Sequence, residues 1–109
     1  MPDPSANPYL ALGVQLAAGL DGVAKGTVPP DPVNKNIFTM SYRERRKYRI
    51  DELPRDLHEA LDCLQGDDVI RDSMGEHIYS RFVEAKRQEW SAYSATVTQW
   101  EIDQYLGKY

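Results

Sequence analysis

The chain has 109 residues, a formal charge of −4, 41% apolar residues and 28% charged ones. That length suits one domain with a small core, and the composition is globular, neither disordered nor membrane-like. Mild acidity gives no reason to expect a nucleic-acid partner, and a single cysteine, Cys63, excludes an internal disulfide and suits a reducing cytoplasm.

No basic segment precedes the first apolar run, so no signal peptide is expected. The run 9–23 is too short to cross a bilayer, and Gln15 and Asp21 interrupt it, so no membrane partner is expected either.

Pro2, Pro4 and Pro8 crowd the start of the chain. Asn7 can cap a helix, and Pro8 suits the first helical turn because its missing N–H would have no partner there. Tyr9, Leu10, Leu12, Val14, Leu16, Ala17, Leu20 and Val23 cover nearly every face. A helix that apolar belongs inside something larger than a small domain. Lys25 and Gly26 supply its end, a cation near the last carbonyls and a residue that tolerates positive φ. In TVPPDPVNKN, Pro29, Pro30 and Pro32 forbid helix and ladder pairing, which predicts an extended loop. Ile37 and Phe38 are expected to pin this loop to the core.

SYRERRKYRIDELP opens on a capping box, Ser41 with Glu44, and predicts a short helix from Tyr42 to about Lys47. A second box, Asp56 with Glu59, opens LHEALDCLQ, where Leu57, Ala60, Leu61 and Leu64 form one stripe and Gly66 is the stop. Asp67 or Asp68 caps a brief helix to Met74, closed by Gly75. The longest helix is predicted over about 76–95. Its core side carries Ile78, Phe82, Val83, Trp90, Tyr93 and Val97, and Glu84, Arg87, Gln88 and Glu89 lie opposite. The β-branched Thr96 to Thr98 interrupt it. Thr98 and Glu101 make a third box and restart the chain as a short helix bearing Trp100, Tyr105 and Leu106, closed by Gly107 before the final Tyr109. The predicted fold is all-α, about five helices with a long proline-rich loop, in one unit over 1–109.

Candidate chemistry is sparse. His58 and His77 have no second ligand at helical spacing, so both are expected to be structural or merely exposed. Cys63 adjoins the apolar stripe of its helix with no histidine beside it, which suits a small core filler rather than a nucleophile. Arg43, Arg45, Arg46, Lys47 and Arg49, between Tyr42 and Tyr48, look locally like a nucleic-acid patch. Glu44, Asp51, Glu52 and Asp56 surround them, which favours a solvated or interface face. The glycines of GLDGVAKG are wrongly spaced for a phosphate loop. No catalytic, cofactor-binding or metal-ligating residue can be named, whereas the apolar first helix and the aromatic tail ask for partners.

PDPSANPYLAL, AAGLDGV, NIFTMS, LPRDLHEAL, GEHIYSRFVEAKRQEW and WEIDQYLGKY follow one another along the chain. Together they resemble the carboxyl-terminal part of bacterial type I glutamine synthetase, in the subtype of Gram-positive bacteria and archaea. The resemblance covers the whole chain but only about the last quarter of a family enzyme. It implies that Pro2-Asp3-Pro4 follows a strand of the catalytic barrel bearing an Arg-x-Glu-x-Arg cluster. The amino-terminal domain and most of the barrel would then lie outside these residues.

The resemblance implies a parent enzyme that uses ATP with magnesium or manganese. Glutamate's γ-carboxylate takes the γ-phosphoryl group, and ammonia then attacks the acyl phosphate. The segment alone is expected to be inactive and to hold no cofactor. The resemblance also implies a cytoplasmic homo-oligomer, a dodecamer of two stacked hexamers. Trp100, Ile102, Tyr105 and Leu106 would anchor the tail in a pocket of the opposite ring. Asn36-Ile37-Phe38 matches an Asn-Leu-Tyr motif whose tyrosine is adenylylated in some relatives; Phe38 has no hydroxyl, so that switch is expected to be absent. The competing reading is a free-standing helical interaction or regulatory module that docks on an intact synthetase or on a transcription factor.

Overall fold

Six α-helices and one 3-10 turn, without strands, form the regular structure of residues 4–108 in the computed structural model. Residues 1–3 and 109, and with them the turn at Pro2, lie outside the described residues. The all-α architecture is the one expected from the sequence. The helices are α1 (Pro8–Ala24), α2 (Tyr42–Lys47), α3 (Leu57–Gln65), α4 (Asp68–Met74), α5 (Glu76–Ser94) and α6 (Gln99–Tyr105); the 3-10 turn is Ile37–Thr39.

Local side-chain chemistry sets most of the boundaries. The Asn7 side-chain oxygen accepts from the Tyr9 and Leu10 N–H groups at 3.0 and 3.3 Å, with Pro8 in the first turn. At the other end Gly26 adopts φ +60°, the Thr27 N–H donates to the Gly22 carbonyl and the Gly26 N–H to that of Val23. This is a Schellman ending, which satisfies carbonyls the helix leaves open. The Ser41–Glu44 box is complete. Its hydrogen bonds from the Ser41 N–H and hydroxyl hold the Glu44 carboxyl below the usual glutamate range. At α3 the Asp56 carboxylate accepts from the Glu59 N–H at 2.8 Å. The Glu59 carboxylate accepts from the Arg55 N–H, one residue before the expected partner. Asp67, not Asp68, caps α4.

The ending of α2 repeats the Schellman pattern without a glycine. Arg49 sits at φ +53°, the Ile50 N–H donates to the Arg45 carbonyl and the Arg49 N–H to that of Arg46. A side chain in the left-handed region costs roughly 1–2 kcal/mol. Arg49→Gly is therefore expected to raise the melting temperature, by up to about 1 kcal/mol of stability once glycine's greater freedom in the unfolded chain is set against it. A lower melt would show that the Arg49 side chain itself holds the turn.

Helix α1 packs on α4, α4 on α5, and α3 on both α4 and α5. Leu61 of α3, 2% exposed, is the deepest residue described, and Val83 of α5 and Met40 are the other buried apolar ones. The α3 stripe faces inward as its spacing predicts, with Leu57, Ala60 and Leu64 half-buried around Leu61.

Three expectations are corrected here. Phe38 does not pin the loop: it is 94% exposed, and Ile37 is also exposed. Met40 is the buried residue of this segment. On α5 the inward row is Tyr79, Phe82, Val83, Lys86 and Trp90, while Ile78 and Tyr93 are exposed, as is Val97, which lies beyond the end of the helix. Cys63 is exposed rather than a core filler. Its apolar neighbours Leu61 and Leu64 define the packed side of α3, and one residue's rotation, about 100°, carries Cys63 off it.

The helices do not close into a ball. The radius of gyration is 18.6 Å and the extents are 59 × 41 × 24 Å. A compact chain of this length has a radius of about 13 Å.

Candidate assembly interface

Two surfaces stand out, the tail helix and the outer face of α1. The tail is restarted by chemistry on either side of its break. The Thr96 hydroxyl donates back to the Ala92 carbonyl at 2.8 Å, closing α5. The Thr98 N–H and hydroxyl both donate to the Glu101 carboxylate, at 2.7 and 2.8 Å, opening α6. Trp100 and Tyr105 then meet edge to face, centroids 6.1 Å apart. Trp100 is 63% exposed and Leu106 78%, and Tyr105 and Ile102 are exposed as well. Helix α6 is not one of the packed helix pairs.

Hydrogen bonds from Thr98, its backbone N–H first, hold the Glu101 carboxyl below the usual glutamate range. A lowered pKa means that this cap's contribution is fully present above the ordinary value and is lost as pH falls through the lowered one. The α6 start is expected to fray on acidification through that window, read as loss of the Thr98 amide's shifted NMR resonance. Glu101→Gln should flatten the response; an unchanged titration in that variant would assign it to another group.

On α1 the half-buried residues Leu10, Ala11, Val14, Ala17 and Asp21 face the bundle. The other side carries Tyr9, Leu12, Leu16, Leu20 and Val23, all exposed, Tyr9 at 87%. At about 100° per residue these five fall within an arc of roughly 80° that contains no charge. The sequence showed an apolar helix but not which half of it the bundle would leave uncovered. That half becomes visible only once α4 is in place.

An apolar cleft of about 610 Å³ opens between the start of α1 and helices α3, α4 and α5, lined by Leu10, Val14, Leu64, Ile70, Met74 and Phe82 among others. Lys86 reaches its wall, but its ammonium pairs with Glu89 at 2.6 Å.

The remaining candidates stay apart. His58 stacks on Trp90 at 6.1 Å with rings 11° from parallel, and its Nε2 lies 3.9 Å from Asp62; His77 is exposed on α5. In the basic segment Arg45 pairs with Glu52 at 2.7 Å. Lys35 lies over the Tyr48 ring, and their hydrogen bond lowers the Tyr48 hydroxyl's pKa and raises that of the ammonium. Among the described residues no three of His, Cys, Asp and Glu come together as a metal site. Nor is any described helix long and apolar enough to cross a membrane.

Comparison with known proteins gives these surfaces a context. Residues 1–105 match the family described as glutamine synthetase, catalytic domain. The chain is 55% identical to the glutamine synthetase of Thermus thermophilus over 109 residues, all of this chain and 24% of that protein. It is 48% identical to that of Methanococcus voltae over 105 residues, 96% of this chain and again 24% of the relative. A solved structure of a GmaS/ADP complex superposes with a TM-score of 0.81 at 32% identity, over 96% of this chain and 23% of that one. The chain thus spans about a quarter of the length of the relatives it matches, in their carboxyl-terminal part. The uncovered α1 arc and the free tail are carried on a chain that belongs to the glutamine synthetase family.

Proposed function

We propose that this chain is the carboxyl-terminal helical part of a glutamate–ammonia ligase, where it provides scaffold and assembly contacts rather than reacting groups. The observation behind this reading is 55% identity over every residue of the chain to a glutamine synthetase of which it spans 24%. In the parent, ATP with magnesium or manganese would convert glutamate to γ-glutamyl phosphate, and ammonia would displace phosphate to give glutamine in the cytoplasm. Among the described residues no donor set for the metal converges, and no step is assigned to them. Helix α6 serves assembly: its exposed Trp100, Ile102, Tyr105 and Leu106 form a capped apolar unit that the rest of the chain does not bury. A dodecamer of two stacked hexamers would bury it in the facing ring. Phe38, at the position of the adenylylated tyrosine, has no hydroxyl.

The test is an exchange. A Thermus thermophilus glutamine synthetase whose matching quarter is replaced by this chain is expected to make glutamine. The 109-residue chain alone, given glutamate, ammonia, ATP and either metal, is expected to release no phosphate. A chimera that assembles but makes no glutamine would refute the reading, as would activity of the chain alone.

A further inference from the structure

We infer that the outward face of α2, built by Arg43, Arg46 and Lys47 around Tyr42, is a docking surface for a short acidic segment of another protein. The inference goes beyond the family reading and does not depend on it. Three observations carry it.

The first is how charge is divided. Residues 35–49 hold six of the chain's thirteen lysines and arginines and one of its seventeen aspartates and glutamates, so this stretch is +5 and the remainder −9. The second is where the cations point. At about 100° per residue, Tyr42, Arg46, Arg43 and Lys47 share an arc of roughly 140°, with Glu44 and Arg45 outside it. Arg45 is half-buried and pairs with Glu52. Arg43, Arg46 and Lys47 are exposed, and no ion pair among the described residues involves them. The Arg46 guanidinium lies 6.0 Å from the centre of the Tyr42 ring, which holds it at the surface. The third is cost. Arg43 stands in the first turn of α2, where the helix dipole disfavours a cation, with Arg46 and Lys47 as like charges three and four residues on. Arg49 holds a φ of +53° that glycine adopts without strain. The fold gains nothing from either cation, whereas carboxylates brought from outside would pair with both.

Charge complementarity names the occupant and its size. Helix α2 has six residues and is about 9 Å long. Asp51, Glu52 and Asp56, all exposed, follow within seven residues of Arg49. A long polyanion such as a nucleic acid would run from the cations onto these carboxylates, and a short acidic segment would end before them. A second copy is a poor donor because its carboxylates are engaged, Asp56, Asp67 and Glu101 in helix caps and Asp21, Asp68 and Glu89 in ion pairs.

The probes are a labelled hexaglutamate peptide and an oligothymidylate of the same charge, each titrated with the 109-residue chain at low salt. The peptide is expected to bind, and the oligothymidylate to bind more weakly. Arg43→Gln with Lys47→Gln should weaken peptide binding by about tenfold or more. Lys25→Gln with Lys108→Gln, which removes the same charge elsewhere, should change it by less than about twofold. Arg49→Gly should weaken binding while raising the melt, opposite effects that a merely structural role does not produce. The exchanged full-length synthetase should bind the peptide as the chain does. No peptide binding by the wild type overturns the inference, as does unchanged binding by Arg49→Gly. Equal losses in the two double variants overturn it by making the effect one of net charge. Tighter binding of the oligothymidylate would give the face to nucleic acid, and a homodimer broken by the Arg43 and Lys47 double variant would give it to a second copy. Binding by the chain but not by the full-length enzyme would mean that the rest of the synthetase covers α2. The family reading is judged separately, by glutamine formation.

Discussion

Leu61→Ala is expected to abolish the cooperative thermal unfolding of this chain. Leu61 is 2% exposed, in the middle of α3, on the face that α4 and α5 share. Removing a buried leucine down to alanine costs about 2–5 kcal/mol, through lost transfer free energy and the cavity left behind. A domain of ordinary stability, roughly 5–15 kcal/mol, can absorb the low end of that range. This one has little reserve, because Val83 and Met40 are its only other buried apolar residues among those described. Leu53→Ala removes the same atoms from a position already in water, so its melt should match the wild type. Circular dichroism during heating decides between two pictures. A Leu61→Ala melt that stays sigmoidal and close to the wild type would mean that the helices are held by their caps and local contacts, not by the three-helix packing.

The caps were the most legible part of the fold. Asn7, Ser41, Asp56 and Thr98 accept the N–H groups their spacing predicts, because the chemistry is confined to three or four consecutive residues. The stop at Gly26 is local in the same sense. What was not legible depended on the neighbours. Met40 rather than Phe38 is buried, although both are large and apolar and lie two residues apart. Phe38 sits in the middle of the 3-10 turn and Met40 caps its end, so the two side chains face differently. On α5, Ile78 and Tyr79 are adjacent, and periodicity alone favoured the more hydrophobic of the two. The structure turns Tyr79 in and leaves Ile78 out, because α3 and α4 together fix the rotation of the helix. Reading α1 as apolar on all sides hid its division into a packed and an open half. The tail anchors Trp100, Ile102, Tyr105 and Leu106 were named from their residue types and the resemblance. The separate cap at Thr98 was legible; the structure adds that these four side chains stay exposed.

In a full-length synthetase carrying this segment, Trp100→Ala combined with Leu106→Ala should separate dodecamers into hexamers without unfolding subunits. The two side chains are exposed here, and α6 is not among the packed helix pairs, so the double variant removes nothing the bundle relies on. The melt of the 109-residue chain should therefore be nearly unchanged, in contrast to Leu61→Ala. The ring contact is a different matter. Trp100 meets Tyr105 edge to face at 6.1 Å, so the tail presents one preformed aromatic pair rather than two independent side chains. Large aromatics in desolvated pockets cost about 2 kcal/mol or more when truncated. In the proposed dodecamer the loss would recur for every tail between two rings, so the rings would be held by the sum while each subunit would feel only its own share. Sedimentation or native mass spectrometry at nanomolar subunit concentration would show hexamers that still melt near the wild-type temperature. Intact dodecamers at that dilution would show that the tail is not the clasp. A lowered melt of the 109-residue chain would instead place Trp100 and Leu106 against the chain's own helices.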